Sequence, residues 1–134
     1  MAITSAICTS FKVEILKGVH NFTASSGNTF NLALYTSSAS LGAATTAYTT
    51  SNEVSGSGYT AKGNALTSVT PVADSTTAVC DFSDTSFTSA SFTARGCMIF
   101  NDSASGDPAV CIIDFGSDKT VTSGTFTIQF PAAD

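Results

Sequence analysis

Hydrophobic and polar residues alternate with a period of two along most of the chain from residue 29 onwards. Six segments show this alternation or a short continuous apolar run, and clusters of Ser, Gly, Asn, Asp and Pro separate them. Both features are typical of β-strands. The pattern therefore predicts strands at 29–36, 65–72, 77–83, 96–101, 109–115 and 124–130.

Two of these segments are apolar at almost every position. GCMIF and AVCII flank the turn-forming sequence NDSASGDP, which predicts a hairpin whose strands are covered on both faces, at the centre of the sheet. The last segment alternates most regularly, so one set of side chains should face the core and the other solvent or a partner. These sets are Phe126, Ile128 and Phe130, and Thr125, Thr127 and Gln129.

The segment SFKVEILKG has helical spacing. Its apolar residues Phe11 and Ile15, followed by Val19, recur every four positions, while Ser10 is a candidate N-cap and Gly18 a candidate stop. The same segment also alternates as a strand would. The cap and the stop favour a short helix.

Composition agrees with strands. Charged residues form 11% of the 134 residues, against roughly 25% in an average soluble domain, and Ser and Thr together number 41. We predict an all-β fold: a single β-sandwich or jelly-roll-like domain at residues 10–134 with one short N-terminal helix, preceded by an N-terminal arm at residues 1–9. The weakly patterned segment 37–57 is predicted to be a loop that carries function or waits for a partner.

The net charge is −5, and the five basic residues are isolated along the chain. No basic stripe is available to neutralise phosphates, so we expect no nucleic-acid partner. No apolar run approaches the roughly 18 residues of a membrane span, and the sequence MAITSAICTS does not resemble a signal peptide. We therefore expect no membrane partner and synthesis in a cytoplasm.

The chain has four cysteines, and their number is even, which would allow two disulfides. Three of them lie in apolar strand-like runs, where a thiol acts as a small core hydrophobe. This favours free buried thiols, with a disulfide as the open alternative. The Cys-x-x-Cys spacing that is typical of metal sites does not occur in the sequence, so metal ligation is not favoured. The cysteines are Cys8, Cys80, Cys97 and Cys111.

Three other patterns could indicate a phosphate site or a catalytic site. The loop VSGSGYTAKGN contains glycines and Lys62, but no Gly-Lys-Ser/Thr step and no following helical pattern, so a turn between strands is favoured over a phosphate loop. His20 is the only histidine and is expected to be a hydrogen-bonded structural residue. Nothing in the sequence brings the two glutamates, Glu14 and Glu53, together as a glycosidase pair would require.

Aspartates are the remaining candidates for ligands. Asp102 with Asp107, and Asp81 with Asp84, could offer oxygens to calcium, but the EF-type spacing fails because Ile112 occupies position twelve counted from Asn101. Turns formed by Asx side chains are favoured instead, with a calcium site built from several loops left open. No catalytic, cofactor-binding or metal residue and no cofactor is therefore predicted.

Aromatic residues could provide a platform for sugars, although the chain has no tryptophan. Tyr35, Tyr48 and Tyr59 cluster near the long loop, which only suggests such a platform. The ten phenylalanines are expected mostly in the core.

Several stretches across nearly the whole chain resemble a widespread group of small structural proteins of tailed bacteriophages. LALYTSSASL and SGSGYTAKG are the most specific, and FKVEILKGVHNF, RGCMIFND, GDPAVCIIDFG and GTFTIQFP add to the likeness. The group often has glycine where Lys62 stands here, and it has no catalytic motif. The resemblance implies a virion component synthesised in the cytoplasm of the bacterial host.

These observations leave three hypotheses. The first is a non-enzymatic virion protein, with a capsid decoration or cement protein that binds the major capsid protein placed ahead of a neck, tail-tube or tail-fibre component. Such a protein is expected to be a homo-oligomer. The second is a module that binds cell-surface glycans. The third is an enzyme that uses His20 or paired aspartates.

Overall fold

Seven strands and one helix form the fold in the computed structural model, which describes residues 2–132. The fold is all-β with one short helix, as the sequence predicts. In chain order the elements are β1 (Ala6–Ile7), α1 (Thr9–Leu16), β2 (Phe30–Tyr35), β3 (Asn64–Ala65), β4 (Ser68–Asp74), β5 (Thr77–Phe82), β6 (Thr85–Asn101) and β7 (Ala109–Ile128).

The strands form a five-stranded antiparallel sheet, ordered β1-β7-β6-β2-β3, and a separate two-stranded sheet of β4 and β5. β6 and β7 are the predicted hairpin around NDSASGDP, with Met98 opposite Ile112. Every residue of β6 from 96 to 101 is buried. The prediction that this hairpin forms the covered centre of the sheet is confirmed, since β6 has a strand on each side.

Side chains of the sheet fill two separate core clusters, one on each face. Alternation along β2 sends Leu32 and Leu34 to the first cluster, and Ala33 and Tyr35 to the second. All six residues of β2 are buried. A strand that is buried on both faces must be packed against other segments on each side. Different parts of the chain cover the two faces.

The first face is covered by the β4–β5 hairpin and by the end of the chain. Phe82 at the end of β5 packs against Phe30 of β2 with ring centroids 5.9 Å apart, and against Phe130 at 5.8 Å. Phe22 stacks on Phe30 at 4.3 Å. A second sheet thus faces the first only through one end of a hairpin, which gives the fold a sandwich-like layer on this side.

The second face is covered by non-strand segments. Ile3, Ala39 and Leu41 are buried there, and the backbone of the long loop joins the N-terminal segment through an isolated parallel bridge between Ile3 and Leu41. The predicted loop 37–57 has no named strand or helix, as expected. It nevertheless contributes to the core, so its apolar residues stabilise the sheet.

The bounds of four predicted strands need correction. The predicted strand 65–72 divides between β3 and β4, which belong to different sheets. β6 begins eleven residues earlier than predicted, at Thr85, where bulges between Phe87 and Phe92 break the period-two pattern. The predicted strands 109–115 and 124–130 are parts of one strand, β7, because pairing with β6 keeps the polar segment between them extended.

The alternation predicted for 124–130 is confirmed: Phe126, Ile128 and Phe130 are half-buried, and Thr125, Thr127 and Gln129 are exposed.

The predicted helix is confirmed as α1, but its cap and its buried face differ from the prediction. Cys8 is the N-cap residue and Ser10 lies inside the first turn. Gly18, with φ +74°, follows the C-cap Lys17 and ends the helix as predicted. Phe11 packs on the core, whereas Ile15 is 41% exposed. Among the described residues no helix has the length and hydropathy of a membrane span.

The segment predicted to be an N-terminal arm packs on the domain over its described residues. Ala6 and Ile7 form β1 against β7, and the side chains of Ile3 and Cys8 are buried. These residues therefore form an edge of the sheet and part of its second cover.

Candidate functional site

The glycine loop, residues 54–64, begins within the long loop 37–57, and its backbone lies against the sheet. Gly58 and Gly63 have φ +78° and +66°, in the left-handed region that favours glycine. A Cβ atom on Gly58 would lie 2.7 Å from the Cα of Ala90, and one on Gly63 would meet the carbonyl oxygen of Leu32. The glycines are there because the loop backbone touches strands, as the predicted turn requires.

Glu53 joins this loop to the tyrosines. Its Oε1 accepts hydrogen bonds from the hydroxyl of Tyr59 at 2.6 Å and from the backbone N–H of Lys62 at 2.8 Å, and its Oε2 accepts from the hydroxyl of Tyr48 at 2.6 Å. The Tyr59 hydroxyl oxygen in turn accepts from the backbone N–H of Leu34 at 2.9 Å. One carboxylate therefore ties together the long loop, the glycine loop and β2.

The tyrosine rings also pack against other side chains of the protein. Tyr48 stacks on Phe100 with centroids 4.7 Å apart, and Tyr59 stacks on Phe87 at 5.5 Å. Tyr35 is fully buried and donates to the carbonyl oxygen of Thr49 at 2.7 Å. The structure brings Tyr48 and Tyr59 together, as the sequence suggested, but around Glu53 and with both rings packed on phenylalanines.

Burial and the neighbouring Glu53 carboxylate raise the pKa of all three tyrosines from 10.0, with burial the larger cause. The pKa of Tyr48 rises to about 12. Because the folded state holds these protons more tightly than the unfolded state, their contribution to stability is complete below pH 10 and is lost as the pH rises towards and through 12. The cysteine thiols, whose pKa values are also raised by burial, begin the same loss above pH 9.0.

We therefore expect the urea midpoint of unfolding to fall progressively above pH 9 and more steeply above pH 10. Absorbance of tyrosinate in the folded protein gives an independent measure, and it should stay low until well above pH 10. A folded protein whose three tyrosines all ionise near pH 10 would contradict the buried network around Glu53.

Lys62 closes the other side of the loop. Its Nζ binds Asp102 Oδ1 and Asp107 Oδ2 at 2.8 Å each, and these hydrogen bonds raise its pKa. Its own φ is +75°, a conformation that favours glycine. The two ion pairs hold a lysine at a position where the backbone geometry suits glycine. The lysine thus lies between the two aspartates that are candidate calcium ligands.

The other candidate ligands and acids belong to separate local bonds. Asp81 Oδ1 accepts from the backbone N–H of Phe82, and Asp84 Oδ1 accepts from that of Phe130, each at 2.8 Å. Glu14 binds His20 rather than Glu53. Within residues 2–132, the structure has no group of three or more His, Cys, Asp or Glu side chains that could hold a metal ion.

His20 is buried in a chain of side-chain hydrogen bonds. Its Nε2 lies 3.1 Å from Glu14 Oε1, and its Nδ1 lies 3.1 Å from the amide Nδ2 of Asn101. Asn101 Oδ1 accepts two backbone N–H groups, from Ser103 and Ala104, so its amide nitrogen must face the histidine. An amide nitrogen only donates, hence Nδ1 is the acceptor and Nε2–H donates to Glu14. This network joins α1 to the β6–β7 turn, the structural role expected for His20.

All four cysteines are free. Cys8 and Cys97 are fully buried and Cys111 is half-buried, as predicted for core thiols, but the prediction is wrong for Cys80, which is exposed. Cys80 and Cys111 line opposite sides of an open groove of about 480 Å³ between β5 and the sheet. The groove exists because only one end of the β4–β5 hairpin packs on the core.

We expect a maleimide reagent to modify Cys80 first in the folded protein, with Cys8 and Cys97 protected until unfolding. Burial raises the pKa of the Cys80 thiol as well, so its labelling should be slower than that of a free thiol. Peptide mass spectrometry of a labelling time course measures this order. The matched variant Cys80→Ser should lack the fast site, and early labelling of Cys97 would contradict the closed core.

The large apolar side chains that remain exposed among the described residues occupy two places. Five lie in or beside α1, and two lie on β4. These are Ile7, Val13, Ile15, Leu16 and Val19, and Val69 and Val72. The pattern did not reveal them, because Ile15 and Val19 fit a core-facing helix and the segment 65–72 was predicted to be a strand of a sandwich.

No protein-family model, curated protein or solved structure matches the chain.

Proposed function

We propose that this protein is a non-enzymatic structural component of a bacteriophage virion that decorates the capsid by binding the major capsid protein. One observation supports it most: the candidate catalytic and ligand side chains form hydrogen bonds and ion pairs within the protein, while large apolar side chains are exposed on its surface. His20, Glu14, Glu53 and the Lys62 ion pairs all hold loops in place. Exposed apolar surface of this kind is typical of contact surfaces.

The sequence resemblance to small phage structural proteins supports the same role. The surface is poor in charge, with 11% charged residues in the chain, and low charge is a property of interface cores. The protein would be made in the cytoplasm of the bacterial host and taken up into the virion. Catalysis, a cofactor, nucleic acid and a membrane have no part in this proposal.

The number of copies per particle tests the proposal. Peptide mass spectrometry with isotope-labelled standards, on particles purified from the phage that encodes the chain, would count it against the major capsid protein. A decoration protein should be present in hundreds of copies, and a neck or tail component in roughly six or twelve, as ring symmetry requires. Absence from purified particles would overturn the virion role altogether.

A binding assay separates decoration from other high-copy roles. The recombinant protein should cosediment with capsids of the same phage that lack it, and saturate at a fixed ratio to the major capsid protein. Capsids already carrying the protein are the matched control, because their sites are filled. Failure to bind empty sites while being present in tails would move the proposal to a tail-tube or fibre component.

A further inference from the structure

The outward face of α1 combines apolar and basic side chains. Leu16 is 89% exposed and Val13 is 51% exposed. At about 100° per residue, Lys12, Leu16, Val13 and the C-cap residue Lys17 fall in that order within an arc of about 140°, with the two lysines at its edges. Phe11 and Glu14 occupy the opposite side, against the core and His20. Neither lysine forms an ion pair within the part of the chain that the structure describes.

The outward face of the β4–β5 hairpin combines apolar and acidic side chains. Val69 lies opposite Asp81, Val72 opposite Val79, and Asp74 opposite Thr77, so the register places all of these on one face. Val72 is 53% exposed. The other face carries Phe82, which packs into the core.

The hairpin is poorly covered as the chain stands. All of β4 after its first residue is exposed, and the strands pair only with each other. A two-stranded hairpin is marginally stable in water by itself. A partner on its outward face would therefore stabilise it.

The two faces are complementary in charge and alike in apolar character. On the hairpin the two acids lie about 13 Å apart along the strands, with Val72 and Val79 between them and Val69 beside Asp81. On the helix Lys12 and Lys17 lie about 7.5 Å apart along the axis, on either side of Val13 and Leu16, and their long side chains extend that reach. Asp74 and Asp81 form no ion pair within residues 2–132.

We infer that the outward face of α1 in one copy of this chain binds the outward face of the β4–β5 hairpin in a second copy. The partner is a second copy because both halves of the match occur on one chain, in which α1 packs on β7 and both outward faces stay exposed. At a net charge of −5 two copies repel overall, so a specific contact needs such a local match of opposite charge. A contact between two different faces leaves one of each free, and repetition closes into a ring or grows into a filament.

This inference rests on the proposed function, since a repeated virion component is what such a contact would assemble. It names the surfaces of self-association, whereas capsid binding and copy number concern the partner in the particle.

Two variants, each with the charges of one face reversed, test this inference. One variant carries Lys12→Glu and Lys17→Glu, which makes both faces acidic, and the other carries Asp74→Lys and Asp81→Lys, which makes both basic. Each alone should self-associate at least about tenfold more weakly than the unchanged protein in sedimentation velocity at low salt. An equimolar mixture should regain assembly, because the acidic helix of one then meets the basic hairpin of the other.

The control is Lys119→Glu, which reverses an exposed lysine of β7 outside both faces and should leave assembly unchanged. Lys12, Lys17, Asp74 and Lys119 are exposed and Asp81 is half-buried. Circular dichroism with thermal melting verifies that each variant is folded, including the Asp81 variant, which loses the hydrogen bond to the backbone N–H of Phe82. A protein that stays monomeric at its highest soluble concentration overturns the inference. So does a mixture that fails to assemble, or a pair of variants that assemble as well as the control.

The same variants distinguish this inference from the proposed function. If the chain is counted in virions but never self-associates, only the head-to-tail contact is wrong. If it self-associates through these faces yet is absent from purified particles, the contact stands and the virion role is wrong.

Discussion

Replacing Gly63 with alanine is expected to lower the free energy of unfolding by about 3 kcal/mol, near the upper end of single-residue effects. Two causes add. At φ +66° an L-residue is strained by about 1 kcal/mol, and the new Cβ would overlap the carbonyl oxygen of Leu32. That oxygen belongs to β2, whose residues are all buried, so the loop rather than the strand has to move.

Movement of the loop would affect its other anchors. The backbone N–H of Lys62 binds Glu53, and the backbone carbonyl of Lys62 accepts from Asn31 at 3.2 Å. Both bonds are adjacent to the substituted residue, so they lengthen as the loop lifts. Thermal and urea unfolding measure the loss, and a decrease of about 10 °C in Tm is expected for a domain of this size.

Gly106→Ala is the matched control. Gly106 has φ +83°, and nothing lies within 4 Å of the position of its missing Cβ. The substitution therefore introduces the strain without the clash, at a cost of about 1 kcal/mol. Equal losses for the two variants would show that the glycine loop does not press against β2.

Replacing Glu53 with alanine is expected to cost about 4 kcal/mol. It removes the acceptor of three donors at once, the hydroxyls of Tyr48 and Tyr59 and the backbone N–H of Lys62. Hydrogen bonds to a charged group contribute about 1.5 to 3 kcal/mol each, and donors left unpaired in a buried place add their own cost. The effects of the three bonds overlap, which keeps the total below their sum.

Glu53→Gln separates charge from shape. Its amide oxygen can replace Oε1 towards Tyr59 and Lys62, and its amide nitrogen can donate to the hydroxyl oxygen of Tyr48. A loss of about 1 to 2 kcal/mol is expected. The alanine variant should also bring the pKa of Tyr48 down from about 12, because the Glu53 carboxylate is one of the causes that raise it. An alanine variant as stable as the glutamine variant would contradict the shared-acceptor network.

Elements with dense apolar patterns could be predicted from the sequence because their pattern and their environment agree. The GCMIF and AVCII runs gave the central hairpin, and the spacing before Gly18 gave α1. Where pattern and environment disagreed, the prediction failed. The polar segment GSDKTVTS has no apolar period, yet it is strand because β6 supplies its backbone partners.

Long-range contacts decided the candidate site in the same way. The clustering of Tyr48 and Tyr59 near the long loop was visible in the sequence, but the bonding of both hydroxyls to Glu53 was not. The partners of Lys62 lie forty and forty-five residues away, in a segment where the sequence favoured Asx turns and left a calcium site open. His20 meets Asn101 across eighty-one residues. Sequence spacing carries no information about such pairs.

By itself, then, the sequence determined the β class, the helix, the central hairpin and the scarcity of charge, since each depends on residues near one another in the chain. Only the tertiary structure decided which polar side chains form hydrogen bonds within the protein and which apolar side chains remain exposed. The reason is physical: burial of α1 and β4 depends on what the rest of the fold places against them. Phe11 of α1 and Phe82 of β5 pack against the core, whereas Leu16 of α1 and Val72 of β4 stay exposed.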